Sequence, residues 1–107
     1  MAFDAGAACS KWFRHPSVRR VLSYEVLSET DFGLSPDDNG FRPNVFVDIS
    51  QTLEAKVRIL NLYVGEMGPY PFPRSDQSVR ALAQYRGSAA GCEAAEAFML
   101  LRERHGP

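Results

Sequence analysis

The amino-acid sequence predicts an α/β fold: a single domain over residues 1–107 in which a sheet is flanked by helices, in the order α-β-loop-β-α-α. Three observations carry that expectation. Residues 18–27 alternate as a strand, with Val18, Leu22, Tyr24 and Val26 on one face and Val21 and Leu27 on the other. Residues 44–49 are apolar on both faces apart from Asp48, which suits a strand in a sheet covered on both sides. Leu53, Val57, Leu60 and Val64 then recur at helical spacing, and Ile59, Tyr63 and Met67 widen the stripe.

The remaining elements follow from local chemistry. Residues 2–13 predict a short helix, with Phe3, Ala7, Ala8 and Lys11 at helical spacing and Trp12 and Phe13 closing it; Pro16 disfavours helix at His15, so the chain turns there. Residues 28–43 are rich in Ser, Thr, Asp, Gly, Pro and Asn and predict an exposed loop, its tip at Ser35–Gly40. Ser50 is the expected N-cap of the next helix, with Glu54 near the positive end of the helix dipole and paired to Arg58 one turn on. Prolines 69, 71 and 73 predict a stiff, extended connection. Ser75 caps the following helix, which carries Val79, Leu82, Ala83, Arg86 and Ala90 along one side and is interrupted or ended by Gly87 and Gly91. Residues 92–104 have helical propensity; a strand at Ala97–Leu101 is the alternative, and periodicity does not decide between them.

Composition excludes several functions. With 12 Lys+Arg against 13 Asp+Glu the chain has no basic excess with which to neutralise phosphates, so a general nucleic-acid binder is ruled out. No apolar run approaches the ~18 residues of a membrane span. The opening residues have neither a positive segment nor an apolar one, so the expected setting is the cytoplasm. Cys9 and Cys92 form no Cys-x-x-Cys or Cys/His cluster, which argues against a disulfide framework or a zinc finger and for buried thiols.

The chemistry within the chain is sparse. His15 and His105 stand alone, so no metal site is expected, and no G-x-S-x-G elbow supplies a nucleophile. Cys92 reads as a small core residue, and Gly87 and Gly91 read as close-packing positions because no Lys-Ser/Thr follows them. His15-Pro16 and Pro36-Asp37-Asp38 each hold half of a His-Pro-Asp-Asp metal motif, but neither has the other half. Asp48 lies near the end of its strand, where open α/β sheets place ligand crevices; the favoured reading is a carboxylate capping backbone N–H groups before the next helix. Glu25 is either a buried acid that needs a partner or an edge residue. Arg86, on the apolar side of its helix, calls for an intramolecular partner such as Glu25 or Asp48. Arg74 either clamps an anion or a sugar hydroxyl or forms a surface ion pair with Asp76 or Glu66.

Five stretches in register resemble one family: Tyr24–Thr30, Pro43–Ser50, Phe72–Ser75, Arg86–Ser88 and Ala94–Phe98. Their order and spacing, running from about residue 2 to 104, are similar to the C-terminal half of the LmbE-like, or PIG-L, deacetylases. The resemblance implies a partial Rossmann-like (LmbE-like) sheet and a zinc-dependent amidase that removes acetyl groups from N-acetylglucosaminyl-type substrates. It implies substrate-binding roles for Arg74 and Ser75 and structural polar roles for Glu25, Asp48 and Arg86. The histidine common in the family's Pro-x-Pro-Arg-Ser track is Phe72 here, a departure from the pattern.

The family's zinc ligands and catalytic base come from an Ala-His-Pro-Asp-Asp-Glu stretch and a later His-x-x-His-type motif, and this sequence contains neither. Met1–Ala5 resembles the helix that follows the later motif, which implies a chain beginning just after the last zinc ligand. Activating water for amide hydrolysis needs that metal and base. The chain alone is therefore expected to be inactive, to hold no cofactor, and to require zinc only as part of a full-length enzyme. An N-acetyl sugar is the implied ligand, and either homo-oligomerisation or a missing N-terminal half is expected. Two other readings stand beside this one: a standalone, non-catalytic oligomeric binding or assembly module, and a half-enzyme completed in trans.

Overall fold

The computed structural model describes Lys11, residues 13–27 and residues 40–106. Most of the helix predicted over residues 2–13, residues 28–39 of the predicted loop, Cys9 and the Pro36-Asp37-Asp38 stretch lie outside them; residues 40–43 run without helix or strand. The elements are β1 (Arg20–Tyr24), β2 (Val45–Asp48), α1 (Leu53–Leu60), α2 (Asp76–Ala90) and β3 (Ala95–Glu103). The strands form a three-stranded sheet of order β1-β3-β2, with β3 antiparallel to both neighbours. Mixed α/β architecture is as expected from the sequence. No helix among the described residues is long and apolar enough to cross a membrane.

The largest correction is the last element, which is a nine-residue strand and not a helix. Its Ala-Glu-Ala-Phe opening favours helix locally, yet Gly91 ends α2 in the left-handed conformation (φ 81°) and turns the chain back across the sheet. There β3 gains backbone partners on both sides, pairing Phe98 with Tyr24 of β1 and with Val45 of β2. Non-local pairing outweighs a helix propensity worth only on the order of tenths of a kcal/mol per residue. The strand alternative at Ala97–Leu101 falls within β3.

Packing between α2 and β3 is close because small residues meet there. Ala83, Ala94, Ala95 and Ala97 are buried together with Ile49, Val57 and Val79. A Cβ on Gly87 would stand 2.6 Å from the Cys92 carbonyl and 2.9 Å from the Ala94 nitrogen, so only glycine lets the helix backbone approach the start of β3 this closely. Gly87 is thus a packing position within α2, and Gly91 is the residue that ends it.

Helix α2 begins as the sequence predicts. The Ser75 hydroxyl accepts from the Ser78 amide at 3.1 Å. At α1 the expectation fails: the N-cap residue is Thr52, which makes no side-chain capping bond, and Ser50 lies two residues earlier. Ser50 is held instead by Asp48, whose Oδ1 accepts both its amide (2.9 Å) and its hydroxyl (2.6 Å). The helical stripe also stops short. Helix α1 ends at Leu60, leaving Tyr63 61% and Val64 100% exposed beyond it.

Three further expectations change. Glu54 pairs with Arg80 of α2 through both carboxylate oxygens, rather than with Arg58. Strand β2 is an edge strand with Val47 and Asp48 exposed, so the sheet is not covered on both sides there. The proline track is folded back rather than extended: the Tyr70–Pro71 peptide is cis, the Phe72 amide donates to the Pro69 carbonyl (2.9 Å), and the Gly68 amide donates to the Arg74 carbonyl (3.0 Å). That last bond closes the loop and anchors Arg74 at the threshold of α2.

Candidate functional site

The described residues line a half-open cavity of about 470 Å³ between α1, α2, β3 and the segment leaving β1. Its floor is apolar and includes Leu60, Met67, Val79, Leu82 and Phe98. Cavities of this size are typical of small-molecule sites, which fall at roughly 300–1,000 Å³.

Charged side chains line the same cavity, and each cation is matched by a carboxylate from another part of the chain. Arg86 of α2 donates from Nε and a terminal nitrogen to the two Glu25 oxygens, both at 2.8 Å. This bidentate pair is the most protected of those lining the cavity, with side chains only 16% and 14% exposed. The bond to Glu25 holds the Arg86 pKa above its ordinary value against the opposing effect of burial. The Arg86 guanidinium also lies 5.7 Å from the Phe41 ring centre and 5.1 Å from that of Tyr85. Of the two partners the sequence offered for Arg86, the fold selects Glu25.

Arg74 pairs with Glu66 at 3.1 Å and lies 5.5 Å from the centre of the Phe72 ring. Its Nε is buried and has no hydrogen-bond partner among the described residues, an unmet donor beside the cavity. Lys56 of α1 meets Glu96 of β3 at 3.1 Å. That pair is invisible to sequence reasoning, because it joins a helix to a segment whose helical propensity hides its strand character. Reading β3 as a strand is the signal that could have brought Glu96 to attention.

The other sequence-predicted residues lie elsewhere. Ser75 is 2% exposed, and its hydroxyl serves the α2 N-terminus. Asp48 is not among the cavity residues. Its two bonds from Ser50, the side-chain bond foremost, hold its pKa below the usual carboxylate value. Ser50 in turn reaches the residue before β3, where its Oγ accepts from the Ala94 amide at 3.2 Å. Cys92 neighbours this turn; burial first, and then the Asp48 charge, push its thiol pKa up, which disfavours a nucleophilic thiolate.

Nothing among the described residues suits the zinc centre that the family resemblance implies. No group of three or more His, Cys, Asp or Glu side chains is placed to hold a metal ion. His15 and His105 are exposed. His105 lies 3.7 Å from Glu103, which also pairs with Arg20. The described residues thus do not fit zinc. Searches among known proteins found no family model, no curated protein and no solved structure that matches this chain.

Proposed function

We propose that this chain is the C-terminal, ligand-facing part of a zinc-dependent sugar N-deacetylase of the LmbE-like kind and carries no hydrolytic activity alone. The observation that supports this most is convergence. Four of the five stretches behind the resemblance contribute to one cavity: Tyr24–Leu27, Arg74, Arg86, and Ala95–Phe98. In this reading, the Arg86–Glu25 pair fixes the cavity wall, and Arg74 offers guanidinium donors to a hydroxyl or carbonyl oxygen of an N-acetyl sugar. In this reading, water activation is the task of metal and base outside this sequence, and further strands beside β1 and β2 complete a Rossmann-like sheet. The free thiol of Cys92 suits a cytoplasmic setting.

A second reading, an oligomeric assembly module, draws support from the exposed segment after α1, which adjoins the cavity at Tyr63. Leu62, Tyr63 and Val64 follow α1 as a consecutive run of exposed apolar residues, with Ile59 also exposed. The two readings part at the gene. Translating the DNA upstream of the Met1 codon is expected to show, in frame, a His-x-x-His-type motif and before it Ala-His-Pro-Asp-Asp-Glu. A stop codon directly upstream, with neither motif in an adjacent reading frame, would favour the module.

A further inference from the structure

The charges lining the cavity say what kind of ligand it takes. Among the described residues lining it, Lys56, Arg74 and Arg86 are each paired in-chain, with Glu96, Glu66 and Glu25 respectively, so these six charges sum to zero. An anionic ligand would meet three carboxylates, and only by displacing one could it take over an existing ion pair. A cationic ligand faces the mirror problem. The protected Arg86–Glu25 pair resists either exchange, because freeing one partner leaves a desolvated, unpaired charge. An apolar, uncharged group faces no such cost, and it buries apolar floor against itself.

We propose that the cavity binds an uncharged, mainly apolar group, an alkyl chain or aromatic ring system, with Tyr24 and Tyr63 flanking it. Both tyrosines line the cavity and are more than half exposed, at 64% and 61%, which leaves their rings available to a ligand. This chemistry follows from the cavity alone. Within the deacetylase reading it identifies the group attached to the sugar as uncharged and apolar, and it can fail without that reading failing.

Two dyes that differ only by a sulfonate provide the test: neutral N-phenyl-1-naphthylamine and anionic 1-anilinonaphthalene-8-sulfonate, titrated into the full 107-residue chain. The neutral dye is expected to bind saturably at one per chain, and the anionic dye at least tenfold more weakly. Met67→Glu, in a loop on the cavity wall, is expected to weaken the neutral dye at least tenfold with an unchanged circular dichroism spectrum. Leu82→Gln serves the same purpose if Met67→Glu does not fold. Val64→Ser changes a fully exposed residue outside the cavity and is expected to leave binding unchanged. Absence of saturable binding, equal affinity for the two dyes, or sensitivity to Val64→Ser in place of the cavity variants would overturn the proposal.

Discussion

The cavity rim and the turn after β2 both gather polar side chains, yet they use them in opposite ways. At the turn, one Asp48 oxygen is taken up by Ser50's amide and hydroxyl, and Ser50 is tied onward to Ala94. That carboxylate is spent on backbone geometry. At the rim, guanidinium and ammonium groups are neutralised by side chains from other parts of the chain, and the paired groups still border open volume. The difference teaches that a carboxylate at the end of a strand is not evidence of a site. The stronger sign is polar groups drawn from separate elements to the edge of an apolar cavity.

Substitutions break this comparison in a graded way. Glu25→Ala strands the Arg86 guanidinium in a protected position, and denaturant unfolding should show a loss of about 3 kcal/mol. Asp48→Asn weakens a local turn and is expected to lower the unfolding midpoint near neutral pH by less than Glu25→Ala does. The Asp48 effect also carries a pH signature. Its folded-state pKa lies below the ordinary value, so its contribution is present above that ordinary value and is lost as pH falls through the folded one. The stability gap between the parent and Asp48→Asn should therefore close as the solution is acidified, measured as unfolding midpoints from neutral pH downward. Lys56→Ala removes a rim pair whose side chains are about one-third exposed, and thermal melting should register about 0.5 kcal/mol or less.

Legibility in the sequence followed the range of the interactions. The Ser75 cap was readable because it needs only its own hydroxyl and the amide three residues on. The Arg86–Glu25 pair was half readable: an arginine on an apolar helix side demands a partner, and a carboxylate in a strand segment was available, with Asp48 the competing choice. Strand β3 was readable only as an alternative, at Ala97–Leu101, because its helix-prone opening is overruled by two pairings that no local pattern encodes. The proline track misled for a related reason. Proline fixes individual backbone angles, whereas the direction of the loop is set by its closing bonds at Pro69–Phe72 and Gly68–Arg74. Ser50 was mistaken for a cap because the competing acceptor, Asp48, lay just upstream of it.

The account stands or falls on whether this cavity belongs to a deacetylase. The most direct measurement mixes the 107-residue chain with a separately expressed N-terminal half bearing Ala-His-Pro-Asp-Asp-Glu and His-x-x-His, and follows acetate release from an N-acetylglucosaminide with and without zinc. The account predicts no release by either part alone and zinc-dependent release by the assembled pair. It also predicts that Arg74→Ala raises KM about tenfold, the loss of one charge-assisted hydrogen bond. An assembled pair that releases no acetate, or one whose KM and kcat ignore Arg74→Ala, would contradict it.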